Sequence, residues 1–314
     1  MPLTRLSYTK TPYLVEKIRT IEDLRIRLHM LPLSLSNKSA IRWATLIDRV
    51  QYAFELGGIP AERNFIEHTL RMSEAIKPTT EQAEVIRYKN GYHHILQHWL
   101  ANPEPVKAKD LIRLNEIVTG QKVKKGYDDS VIQTNMSYLQ TSPDNPIIQS
   151  ALATCFVQAN QLLGHSLPMQ YLIPLLFLYK YGYDFRRFIT LEEYFVKHKD
   201  RHHSAILQSV RDSNATAWLE FVAEATEVQL IKRIKQILNN DPELMNTQAF
   251  FTLNHRQQSI LASIDKPGAK ITNRDVQKLY KVSAITAARD LSNLAHRDLI
   301  IQIGGGRSTF YIRK

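Results

Sequence analysis

Histidines are the first residues of this sequence that could do chemistry. His94 and His98 stand four apart in EVIRYKNGYHHILQHW, a spacing that lets two imidazoles reach one metal ion from a single helical face. No third ligand with a recognisable spacing accompanies them. They therefore read as surface or hydrogen-bonded imidazoles, and no metal is expected. His202-His203 reads the same way. The single cysteine, Cys155, shares a helical face with Ile147, Ile148, Ala151, Leu152 and Phe156, and reads as a small buried hydrophobe rather than a nucleophile. His165 lies in a short polar break, residues 158–168, where two apolar helices meet. Such a loop over a rigid base is a natural site. Yet His165 has no glycine-rich neighbourhood, and a catalytic role needs geometry before pKa.

The elements that position these residues are helical. Residues 170–185, QYLIPLLFLYKYGYDF, are apolar on every side of a helical wheel, which predicts a helix buried all round, with Gly182 as its left-handed C-cap. A second apolar helix precedes the break. Thr190 with Glu193 predicts a capping box for the next helix, and Thr79 with Gln82 another that opens a helix through Trp99. Further helices are expected over residues 13–28, 39–56 (ending at Gly57-Gly58) and 109–119. Residues 120–145 have little periodicity and read as irregular.

ALATCFVQANQLL followed by QYLIPLLFLYKYGYDF resembles the central helix pair of the Fic/Doc superfamily, and TLEEYFVKHKDRHHSAIL and ATAWLEFVAEA resemble the helices after it. The resemblance implies a loop of the form HPFxxGNGRxxR between the pair. There a histidine is general base, glycine amides wrap phosphates at a helix N-terminus, an acidic residue holds a divalent cation and arginines neutralise charge. Here the base position falls on Gln161, or on Asn160 when counted back from Gly182. Leu162 and Leu163 replace Pro and Phe; His165-Ser166-Leu167-Pro168 replaces the glycine segment; the second arginine falls on Tyr171. Neither Gln nor Asn is a base near neutral pH, and Pro168 has no N–H to offer a phosphate. No catalytic residue is therefore assigned in this degenerate loop. The resemblance also places an inhibitory-like Glu55 in QYAFEL, a target-holding flap with Tyr138 over residues 120–145, and no separate helix between flap and central pair. Glu55 lacks the arginine it would pair with, and reads as a structural or solvated carboxylate.

The C-terminal part has a different layout. A helix over residues 254–264 is followed by a Thr272-capped helix with Val276 and Leu279 inward. A Ser283-capped third helix runs to Leu294, and a strand over 299–303, a Gly304-Gly305-Gly306 tip and a returning strand over 308–312 follow. This resembles the winged helix-turn-helix domains found behind Fic domains. It implies a third helix entering the DNA major groove, with Ser283, Thr286 and Arg289 outward and Arg307 on the wing.

The expected fold is mainly α: a Fic-like helical bundle over residues 1–240, its degenerate Fic core at about 80–230, followed by a small winged helix (α+β) domain over 250–314. With 44% hydrophobic and 23% charged residues, the 314-residue chain is of globular composition. No apolar run is long enough to span a bilayer, and the N-terminus lacks a signal-peptide core, so no membrane partner is expected and the cytoplasm is the expected compartment. Net charge is +11, and residues 271–314 hold eight basic side chains against three acidic ones, which points to double-stranded DNA as partner. Three readings stay open. The first is a DNA-binding regulator whose inactive Fic-like body senses or oligomerises, with no cofactor. The second is a residual nucleotidyl (AMP) transferase, which would need ATP and Mg²⁺. The third is a protein-interaction scaffold.

Overall fold

The computed structural model describes residues 6–59, 61–73, 76–122, 129–141, 144–160, 167–240, 253–264, 268–296 and 299–313; the side chains of 129, 159, 160, 167, 168, 255 and 307 are not among those described. The centre is an antiparallel pair, α7 (Pro146–Asn160) and α8 (Leu167–Lys180). Leu172, Ile173, Leu176 and Phe177 of α8 are fully enclosed, as an all-round apolar helix must be. Gly182, at φ +76°, ends α8 in a Schellman motif: Tyr183 N–H donates to the Leu178 carbonyl and Gly182 N–H to Tyr179, both at 2.9 Å.

Helices α1 (Pro12–Met30), α2 (Leu35–Leu56), α3 (Arg63–Arg71), α4 (Thr80–His98), α5 (Ala108–Thr119) and α6 (Asp129–Thr141) lead up to the pair, and α9 (Glu192–Lys197), α10 (Lys199–Arg211) and α11 (Thr216–Asn240) follow it. The Thr79–Gln82 capping box forms on α4. At Gly91 of α4 a side chain's Cβ would lie 2.6 Å from Val118 Cγ2 and 2.9 Å from Leu172 Cδ1, so glycine is what lets α4, α5 and α8 converge. Helix α1 lies along α11, tied by Thr11 to Glu220 and Lys17 to Glu227, while Trp218 Nε1 donates to Ala151 O of α7 at 2.8 Å.

Two expectations for the helical body need correction. Residues 129–141 are not an irregular flap but α6, and its buried Ile132, Met136 and Leu139 sit at spacings of four and three on one face. Tyr138 therefore belongs to a helix; its hydroxyl donates to Leu6 O at 3.2 Å and its ring meets Phe156 edge-on. The Thr190–Glu193 capping box does not form either. Helix α9 has no side-chain cap, and Thr190 Oγ1 donates instead to Glu192. The reason is a stronger claim on this turn: buried Arg49 pairs with Glu192 at 2.7 Å and donates to Ile189 O at 2.8 Å. Glu193 is drawn to Lys197 and Lys232.

Residues 253–313 build a second, separate hydrophobic core. It comprises α12 (His255–Ser263), β1 (Lys270–Ile271), α13 (Asn273–Tyr280), α14 (Ala284–His296), β2 (Ile300–Ile303) and β3 (Phe310–Arg313), with an antiparallel sheet of order β1-β3-β2. Strand β1 and helix α3 have no counterpart among the elements expected from sequence. Val276 faces this core, but Leu279 is 62% exposed, because Tyr280 and Val282 take the inward places at that end of α13. Met30, the last residue of α1, is buried in the same second core. No helix among the described residues is long and apolar enough to cross a membrane.

Candidate functional site

Gln161 and His165 lie outside the described residues, and Pro168 is described only as backbone in the first turn of α8. What can be built is the wall around them. An open cavity of about 510 Å³ at the N-terminal end of α8 is lined by Leu56, Gln158, Gln170, Tyr171, Lys199 and Asp200, among others. Tyr171, nearly buried, has its phenol pushed up in pKa by burial. His202 borders the same space, stacked on Phe195 at 4.9 Å and edge-on to Trp218 at 5.5 Å, with Nε2 buried and without a hydrogen-bond partner. Burial pushes His202 down to about 4, so it is neutral at physiological pH and a feeble base. The nearby Arg49 is committed to Glu192: burial opposes its charge, and the carboxylate overcomes that opposition and holds its pKa up. Among the described residues, Lys199 is the one Lys or Arg on this cavity wall, beside the carboxylate of Asp200.

The other sequence candidates scatter. Glu55 is exposed on α2 and does not line this cavity. The His94 and His98 rings lie 4.5 Å apart, tilted by 47°, and the described residues include no group of three His, Cys, Asp or Glu side chains able to hold a metal ion. Cys155 is buried, and burial pushes its thiol up, away from a thiolate.

A site that sequence reasoning missed lies at the opposite end of α8. Phe185, Arg186 and Arg187 have φ of +47°, +57° and +64°, three successive non-glycine residues in the left-handed region. Each such residue costs about 1–2 kcal/mol. Part of the strain has a structural return: Phe185 is buried, and Arg186 Nη1 donates to the Leu28 and Leu31 carbonyls at the end of α1, at 2.7 and 2.8 Å. Lys180 does the same for the Asn102 and Glu104 carbonyls, and burial lowers it to about 8. The available signal was Arg186-Arg187 directly after an apolar helix and its glycine stop.

On the C-terminal unit, Ser283 caps α14 by accepting from Thr286 N–H at 3.2 Å, and the Ser283 and Thr286 hydroxyls lie 3.0 Å apart. Arg289 is exposed two turns or less along the same helix; the side chain of Arg307 lies outside the described residues. Ser283, Thr286 and Arg289 thus share the N-terminal half of one element. Asp290 is buried, bound by Arg256 at 2.5 Å and Gln257 at 3.0 Å, so its charge is cancelled internally and does not oppose Arg289.

No family model matches this sequence, and no curated protein matches it either. Its likeness to known proteins is one of shape. A crystal structure of a Fic family protein from Desulfovibrio desulfuricans G20 aligns over 99% of this chain and 98% of its own, with a TM-score of 0.62 and 12% sequence identity. The chain is mainly helical, carries one small three-stranded sheet among its described residues, and has a Fic-like fold along its length.

Proposed function

We propose that this is a DNA-binding regulatory protein: residues 250–314 form a winged helix that reads duplex DNA, and the Fic-like body of residues 1–240 serves as sensor or oligomerisation body without transferring AMP. The observation that carries the reading is the order helix, strand, helix, helix, hairpin, with sheet order β1-β3-β2 and a capped α14 whose first turns face solvent. In that arrangement α14 enters the major groove and the hairpin touches the backbone. Ser283, Thr286 and Arg289 are the reading side chains and Arg307 the wing contact. The surplus of basic residues in 271–314 supports it. Absence of catalysis is supported by the sequence of residues 161–171, where base, glycines and arginines are replaced together.

Mobility shifts of the full chain on genomic duplex fragments at several salt concentrations test the first half. Binding is expected to weaken steeply with salt. Arg307→Ala should shallow that slope by about one unit, and Arg289→Ala, if it reads a base, should cost about 1–3 kcal/mol at one position. Incubation with labelled ATP and Mg²⁺ tests the second half: no label is expected on the protein or on lysate proteins. Label lost on altering Gln161 or His165 would replace this reading with the transferase one. A second reading, a winged helix that docks on a protein, is favoured by Leu279 and Ile285, 62% and 74% exposed at adjoining helix ends. It takes over if no duplex binds more tightly than micromolar at low salt.

A further inference from the structure

A cleft of about 440 Å³ opens between the helical body and the C-terminal sheet, at the strained end of α8. That volume is in the range of small-molecule sites. Six cationic side chains line it (Arg25, Lys38, Arg42, Arg186, Arg187 and Arg313) against one carboxylate, Asp184. Arg25 also pairs with Glu22 at 3.1 Å, Arg186 serves the α1 carbonyls, and Lys38 and Arg313 have further interactions of their own. Arg42 and Arg187 are differently placed. Arg42 donates its Nε to Arg186 O at 3.1 Å, a neutral acceptor, and Arg187 Nε is buried with no hydrogen-bond partner. Burial and then the Arg187 charge lower the pKa of Arg42, against the pull of the Asp184 carboxylate. Asp184 answers only part of this: burial raises its pKa, against the pull of Arg187.

Like charges gathered in a low-dielectric cleft are costly, and so is the left-handed turn that delivers Arg187. The fold needs Phe185 and Arg186 where they are. Arg187 Nε has no hydrogen bond that would account for its place beside Arg42, and Asp184 nearby answers its charge only in part. Leu100, Tyr181, Ile301 and Ile312 give the same cleft an apolar wall.

We propose that this cleft binds a small polyanion carrying phosphate-type groups on a compact apolar body, gripped by Arg42 and Arg187 from the helical body and by Arg313 from β3. The ligand spans both parts of the chain and fixes their arrangement. The site stands apart from the loop at the other end of α8 and does not depend on DNA binding.

Thermal unfolding and titration calorimetry of the full chain test it, with inorganic pyrophosphate and 5′-AMP as probes at constant ionic strength in KCl. Pyrophosphate should raise the unfolding temperature saturably, as any ligand of the folded state does, and chloride of equal ionic strength should not. Arg187→Asn keeps a residue that tolerates the left-handed region and removes the charge. It should weaken pyrophosphate at least tenfold while the anion-free unfolding temperature stays level or rises. Arg42→Ala should weaken it comparably, and Arg289→Ala should leave it unchanged. 5′-AMP is expected to show the same dependence on Arg187. The proposal is overturned if wild-type protein shows no saturable response, if Arg187→Asn and Arg42→Ala bind like wild type, or if Arg289→Ala alone removes the response.

Discussion

The two ends of α8, about 20 Å apart along its axis, handle charge in opposite ways. At the N-terminal end the buried ionisable groups among the described residues are matched or kept neutral: Arg49 by Glu192, Tyr171 and His202 by burial, while Lys199 and Asp200 lie at the exposed rim. At the C-terminal end, Arg42 and Arg187 line the same cleft, which has more cationic than anionic side chains in its wall, Arg187 on a turn held in a strained conformation. Matched charge holds a fold together and leaves little with which to engage a ligand. Unmatched charge costs stability and is what an outside anion can recognise. The place in a Fic-like fold where the resemblance puts chemistry is here the settled end, and the unsettled end is elsewhere.

Breaking the rod between the ends should have the largest effect. Leu176 is fully buried in the middle of α8, and Leu176→Asp, an unpaired carboxylate in the core, should cost more than about 4 kcal/mol and leave no cooperative unfolding transition by circular dichroism. A variant that melts like wild type would show that α8 is not central. Next, Arg49→Ala strands Glu192 in the interior and should cost about 3–5 kcal/mol in urea unfolding. A loss below 1 kcal/mol would show that the neutral end is not held by matched charge. The smallest effect is a pH dependence. His202 is neutral in the fold, with its pKa lowered from 6.5 to about 4. Its contribution is therefore whole above pH 6.5 and drains away as pH falls towards 4, about 3 kcal/mol in all. His202→Phe, which suits the surrounding rings, should flatten the stability profile in that window. An unchanged profile would assign the acid sensitivity to other groups.

Much of the body was legible because burial writes itself into composition. The run from Gln170 to Lys180 could be nothing but a core helix, and the Thr79, Thr272 and Ser283 caps sit where the residue types put them. Helix α6 was missed because Asp, Ser, Asn and Thr around it suggested a loop. Its apolar face is only Ile132, Met136 and Leu139, too sparse to stand out beside an expected flap. The Thr190 cap was misread because Arg49, far away in sequence, reaches Glu192 first. The cationic cleft was invisible for the same reason. Arg42, Arg187 and Arg313 come from three distant stretches, and only folding makes them neighbours.

Met30 gives the molecule a joint. It closes α1, yet its side chain is seated in the core of the C-terminal unit, so the unit rests on the body as a socket rests on a ball. An unbranched thioether adapts to a turning socket, whereas lifting the socket away would bare an apolar side chain and the hole it left. Swivelling is therefore easier than separation. The same end of α1 is gripped through its Leu28 and Leu31 carbonyls by Arg186, one residue from Arg187. Torque applied to the C-terminal unit thus reaches, through the end of α1, the strained turn beside the cleft.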